Sequence, residues 1–461
     1  MNGRRPSRVV CRRIMCMVRC MLRRSILGVF CLLGLFSLPL LHAQSASHPK
    51  IGTSEPSPVS GSNARLPLLF VNARALLPGG IREGVRVLIE DGYIAGVDPE
   101  GDVPANARVI DLDGAWLTPG IVDPDSTLGL VEVSAEKASV DMSSGRPIHP
   151  AFDVLDAYNP RSAAIPVARL GGVTSALVAP RGGVMSGQSI IVDLAGRTQA
   201  EALVKHPAAV HFNLQANPAS SRAETLRVLR DMLEEARIFQ WQRSAWERNS
   251  SRPFTYSAAD LEALGPVLEA DVPLIAHADR ASDIEALVRM ATAQKIRLII
   301  AGGAEGYLVR DILAAAHVPV ILDTFVDGPG SFDQVFGRPD NAALLYAAGV
   351  PIMFSTFSAH NLRELPQYAG NAVRAGLPFE AALRALTETP SDVFGLPRSG
   401  RIQEGYRANL VVWSGDPLEF ETQVLHVLIR GREMPLISRQ TRLFERYRTL
   451  PGTPNPPPPL P

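Results

Sequence analysis

The sequence predicts an α/β protein: a (β/α)8 TIM-like barrel flanked by a small β-sandwich domain built from both ends of the chain. Three observations predict it. Eight apolar runs of strand length recur through the middle of the 461 residues. Amphipathic helical stretches such as 282–293 and 307–316 lie between most of them, and strands alternating with helices in this way form parallel sheets covered by helices. Short strands with turn signals occur only at the two ends, as in Glu90-Asp91-Gly92-Tyr93, where Asp-Gly marks a hairpin.

In chain order, residues 1–43 read as an export signal. They hold eight Arg and no acid, and the apolar run at 25–41 is broken by Pro39 and short for a bilayer span. The small residue Ala43 places the cleavage after it and the mature protein in the periplasm. Lys plus Arg and Asp plus Glu balance at 46 each, but without this segment the body is net acidic. A net-acidic body argues against a phosphate-backbone binder. All four cysteines, Cys11, Cys16, Cys20 and Cys31, lie in the same segment. The body therefore has no disulfide, thiolate nucleophile or Cys-ligated zinc.

Residues 44–64, rich in Ser, Pro and Gly, are a flexible linker. Strands at 68–71, 85–90 and 93–97 form the first part of the β domain, 65–116. The barrel occupies 117–400, with strands at 121–122, 173–178, 190–192, 209–214, 273–277, 297–301, 319–322 and 351–354. The β domain resumes over 401–437, and 438–461 is a Pro-rich tail.

Several segments resemble the amidohydrolase superfamily, in particular its imidazolonepropionase-like exported branch. Glu90-Asp91-Gly92-Tyr93-Ile94 is similar to the family's early hairpin, and Leu117-Thr118-Pro119-Gly120-Ile121-Val122-Asp123 to its entry into the first barrel strand. Gly171-Gly172-Val173-Thr174, His277-Ala278-Asp279-Arg280-Ala281 and the stretch from Gly405 through Trp413 to Pro417 resemble further family segments. The resemblance implies hydrolysis of C–N bonds at a metal centre on the C-terminal strand ends. It also implies a ligand set that this chain lacks. The family's His-x-His pair falls on Asp125 and Thr127, its sixth-strand His on the Ala301-Gly302-Gly303 region, and its eighth-strand Asp near Ser355-Thr356. Lys205 lies at the wrong end of its strand to be the bridging lysine of strand four. One expected ligand, His277, remains.

The residues left to carry chemistry are Asp125, His277 and His360 as catalytic groups, and His149, Gln188, Glu305 and Asp323 as substrate contacts. His277 ends an apolar strand at the functional face, as a metal ligand, an acid/base or a histidine hydrogen-bonded in the barrel mouth. Asp123 and Asp125 close the first strand. Two apart, they share a face if the strand is regular; Asp123 reads as a cap at the strand–loop junction. His149 lies in the long loop after that strand, Gln188 in a Gly-rich family-like loop, and Glu305, Asp323 and His360 follow strands six, seven and eight. Of the other histidines, His206 and His317 precede their strands, His426 lies in the β domain and His211 sits early in its strand. The cofactor expected is at most one divalent metal ion, zinc before others, because each zinc requires about three protein ligands. The expected partner is a small-molecule substrate, without nucleic acid and without stable membrane insertion after signal cleavage; a homo-oligomer stays open. Two functions follow: a hydrolase of C–N bonds in small amides, cyclic ureides or peptide-like compounds with a degraded metal site, or a catalytically inactive binding or scaffold protein on the same fold.

Overall fold

Residues 66–99, 104–215, 221–250, 252–325 and 328–448 are described by the structure, a computed structural model. The segments read from the sequence as an export signal and a linker, and the end of the tail, lie outside these residues. The described chain opens with β1 (Leu68–Leu77), β2 (Gly80–Glu90), β3 (Tyr93–Val97), β4 (Arg108–Asp111) and β5 (Trp116–Pro119). Eight strands follow: β6 (Ile121–Ser126), β7 (Val173–Val178), β8 (Met185–Asp193), β9 (Leu203–Asn213), β10 (Leu274–Ala278), β11 (Leu298–Gly302), β12 (Val320–Leu322) and β13 (Ile352–Phe354). Then come β14 (Leu410–Trp413), β15 (Val424–Ile429) and β16 (Arg432–Glu433).

Hydrogen bonding sorts these strands into two sheets. β1–β5 and β14–β16 form one, with β5 beside β14, so both ends of the described chain build a common sheet around Phe70, Val87, Leu117, Leu410 and Val412. β6 to β13, neighbours in sequence order, form the barrel. All eight apolar runs read from the sequence are barrel strands. Their inward side chains, among them Leu177, Ile191, Ile275, Ile299, Ile321 and Met353, fill the barrel, while the outward ones pack under the helices. Phe394 and Leu396 join the inner cluster. Lys205 Nζ donates to the Phe394 carbonyl at 2.7 Å and Arg297 to Val393 at 2.8 Å, so this segment plugs the N-terminal strand ends.

One strand departs from the expected parallel pattern. β8 runs antiparallel to both β7 and β9. Only residues 179–184 lie between β7 and β8, whereas a parallel crossover needs about a dozen residues or more. The apolar pattern marks only 190–192, but the strand begins at Met185 and leaves no room for a helix. The start of the expected tail also differs: Arg439–Tyr447 is helical, with Ser438 and Thr441 forming a capping box.

The barrel and the second sheet are pinned together by buried contacts. Asp193, at the end of β8, receives Arg430 Nε at 2.5 Å and Ser175 Oγ at 2.7 Å. Gly172 has φ +76°, and a Cβ there would lie 2.5 Å from the Trp413 ring, which is why the turn into β7 needs glycine. Among the described residues, no helix is long and apolar enough to cross a membrane.

The floor of the barrel gives a direct test. Phe394 is fully buried, and Phe394→Ala is expected to lower the unfolding free energy by about 3–5 kcal/mol in urea titration. A loss within error of zero would show that the plug does not close the barrel.

Candidate functional site

Four strand ends, of β6, β9, β10 and β13, contribute to the site at the barrel mouth. β6 carries Asp123 and Asp125 around Pro124, and its pairing with β7 is irregular between Asp123 and Ser126. Proline has no N–H to give a ladder, so an irregular strand end suits it. The chain folds on itself there: the Asp125 N–H donates to Asp123 Oδ1 at 3.0 Å. Ser355, which follows β13, lies with its Oγ 2.6 Å from the same Oδ1 and 2.7 Å from the Asp125 carbonyl. A hydroxyl has one proton, so it serves one of these oxygens at a time. Both aspartates are fully buried.

Asp125 is the centre of the arrangement. Its Oδ1 lies 2.6 Å from Arg181 NH2 and its Oδ2 3.3 Å from His277 Nε2. Neither oxygen has the alignment of a hydrogen bond with a described residue. His211, on β9, is fully buried with neither ring nitrogen hydrogen-bonded, and its ring centroid lies 5.9 Å from that of His277. Asp125, His211 and His277 each offer a ligand atom within 4.8 Å of the others.

Electrostatics favour neutral imidazoles beside a charged carboxylate. Burial holds the His277 imidazole down at about 4 and that of His211 at about 3. Burial pushes the Asp125 carboxyl up, but the charge of Arg181 outweighs it, and the net shift is downward. Burial drives Asp123 from 3.8 to about 7, against the hydrogen bonds from Ser355 and the Asp125 backbone. Neutral imidazoles, an ionised carboxylate and unpartnered buried donor atoms fit one divalent ion. They do not provide the additional ligands that a second ion needs.

Above this cluster lies a cavity of about 330 Å³, lined by His277, Asp279, Asp323, Arg338, Phe357 and Arg374 among others. The cavity makes His277 the link between cluster and cavity. Asp279 spends both oxygens on structure, accepting from the Ala304 N–H and from Gln334 Nε2. Asp323 accepts only from the Phe325 N–H among the described residues, and burial raises its carboxyl.

The sequence reading placed some of these groups and misplaced others. Asp125 and His277 come together, and Asp323 lines the cavity. Glu305 is buried but structural: it accepts from the Ala281 N–H, capping the helix Ala281–Gln294, and from the Phe336 N–H. Arg280 gives that helix no side-chain cap, so the carboxylate does it from a neighbouring loop. Gln188 stands opposite Val210, on the outer layer of the barrel, and not with the cluster. His149 packs against Phe152 with its rings 6.1 Å apart, and His360 is exposed; neither belongs to the donor group. Both lie on loops, whose side-chain direction no periodicity sets. His211 was expected early in its strand, but β9 runs Leu203–Asn213, so His211 is close to its C-terminal end. In the structure His211 and His277 stand at similar distances from their strand ends. Arg181 was missed altogether.

Barrel, common sheet and donor cluster define a TIM-barrel architecture with its candidate site at the C-terminal strand ends, where such barrels carry their functional residues. An amidohydrolase family model matches residues 349–434. The amidohydrolase tasK of Hapsidospora irregularis is 27% identical over 384 residues, which cover 75% of this chain and 39% of that protein. The imidazolonepropionase of Salinispora tropica is 45% identical over 51 residues, 11% of this chain and 13% of that enzyme. The chain thus spans well under half the length of either relative in these matches. The structure of an amidohydrolase from Thermotoga maritima is similar over 81% of this chain and 100% of that one, with 29% identity and a TM-score of 0.73. The chain belongs to the amidohydrolase superfamily.

The Asp123–Ser355 contact generates a pH-dependent prediction. Asp123 is raised from 3.8 to about 7. This group therefore takes stability away as pH rises from the unfolded value through about 7. Ser355 opposes that shift, so Ser355→Ala pushes the carboxyl further up. In metal-depleted protein the substitution is expected to cost about 1–3 kcal/mol, with a larger deficit at pH 9 than at pH 5. Equal deficits at both pH values would show that Ser355 does not act on the charged form.

Proposed function

We propose that the protein is an exported hydrolase of C–N bonds in small amides, cyclic ureides or peptide-like compounds, working with one divalent ion instead of two. The observation that carries this reading is the meeting of Asp125, His211 and His277, from three different strands, at the mouth of a cavity, with both His211 ring nitrogens buried and without a hydrogen bond among the described residues. Asp125, His211 and His277 would hold the ion, zinc before others. The ion supplies polarisation of a carbonyl and a lowered pKa for a bound water.

The protein's own side chains account for the rest. His211 and Asp125 are sealed beneath the mouth, and His277 is the ligand that also faces substrate. Phe357 stands edge-on to the His277 ring at 6.1 Å and limits its movement. Asp323 and Arg374 both line the cavity, where they would meet polar groups of a substrate. A cavity of about 330 Å³ suits a small molecule. Export is supported by the Arg-rich start and the apolar run at 25–41.

A second reading, a binding protein without metal, draws on one observation: the Arg181 charge already answers Asp125. The two readings separate in a hydrolysis assay across amides, cyclic ureides and dipeptides. Activity abolished by chelator and restored by one equivalent of zinc, and lost in His211→Gln, supports the enzyme. Activity indifferent to chelator, or requiring two equivalents, contradicts the one-ion mechanism, and no hydrolysis of any of these compounds supports the binding protein. For export, the mature protein is expected in the periplasmic fraction with Gln44 as its first residue; material retaining residues 1–43 there would contradict cleavage.

A further inference from the structure

We propose that Arg181 is a built-in cation that takes the electrostatic place of a second metal ion and holds the centre to one weakly bound ion. The inference rests on the one-ion reading above and concerns how that site is regulated by its own chain.

Arg181 sits in the turn between β7 and β8. Its backbone N–H donates to the Met142 carbonyl at 2.7 Å, which fixes the start of the side chain. The side chain is 20% exposed and reaches back under the mouth. Its NH2 lies 2.6 Å from Asp125 Oδ1 and donates to the Asp125 carbonyl at 3.3 Å, while NH1 donates to the Pro180 carbonyl at 3.3 Å. Both terminal nitrogens are therefore committed to the protein. This distinguishes Arg181 from a substrate clamp such as the cavity-lining Arg374.

The geometry divides Asp125 into two halves. Oδ1 faces the guanidinium, and Oδ2 faces His277. With Oδ1 taken, the carboxylate offers one oxygen to the donor group it forms with His211 and His277. Asp123 is not in that group, and its Oδ1 is engaged with Ser355 and the Asp125 N–H. Asp125 is thus the cluster's one acid, set beside a fixed positive charge. A divalent ion entering the cluster meets that charge at close range inside a poorly solvated mouth, where like charges repel strongly. A second ion would have to displace the guanidinium. Arg181 also orients Asp125, as groups behind metal ligands commonly do. For affinity, the charge outweighs this orientation, because the repulsion acts on the ion's double charge.

The test titrates Co2+ into metal-free wild type, Arg181→Gln and Arg181→Lys, following calorimetry and visible absorption. Wild type is expected to bind one equivalent. R181Q is expected to bind about tenfold tighter or more, with a changed absorption spectrum as Asp125 Oδ1 becomes available. R181K keeps the charge and is expected to bind like wild type. R181Q that matches wild type in affinity and spectrum overturns the inference and leaves the one-ion reading intact. If R181Q does not fold, R181K decides alone: an about tenfold change there shows that guanidinium shape and not charge governs the site, which also overturns it. Wild type that binds nothing while R181Q binds one equivalent upholds the role of Arg181 and removes the native metal reading. No binding by either overturns both.

Discussion

A carboxylate without solvent contact must be balanced by the groups around it, and Asp125 is such a carboxylate. Arg181 answers one oxygen and His277 faces the other. Removing Arg181 leaves a buried charge uncompensated, which typically costs several kcal/mol. The two imidazoles stay neutral because burial, with the nearby Arg181 charge, outweighs the pull of the Asp125 carboxylate toward protonation. The same balance decides what the mouth can bind. It offers lone pairs on nitrogen and one free carboxylate oxygen, a set suited to a single ion with an open position.

The barrel makes this balance unavoidable. Asp125, His211 and His277 come from strands whose C-terminal ends share one rim, so side chains distant in sequence converge without any loop having to close. The irregular end of β6 turns Asp123 toward Ser355 and leaves Asp125 with Arg181. The tight connection into the antiparallel β8 is what brings Arg181 there. A helical crossover at that point would have carried the residue away from the rim.

Much of the fold was legible because its signals are local. Eight apolar runs are eight barrel strands, and the Asp91-Gly92 turn joins β2 to β3 as its type demands. The direction of β8 was not legible, since the apolar run at 190–192 hides a strand that starts five residues earlier. The site was half legible. Asp125 and His277 close clear apolar strands. His211 was hidden because Lys205, His206 and Pro207 interrupt the first half of β9, making the strand look shorter and the histidine look early. Arg181, His149 and His360 lie on loops. There neither period nor composition says which side chain turns inward: Arg181 does, and His360 remains exposed.

The most direct test of a one-ion centre is crystallographic. Anomalous diffraction at the zinc edge, from crystals of wild-type protein grown with zinc, should show one peak bounded by Asp125, His211 and His277, with Arg181 still against Asp125. Two peaks at the mouth, or a single peak held by His149 or His360, would contradict the account.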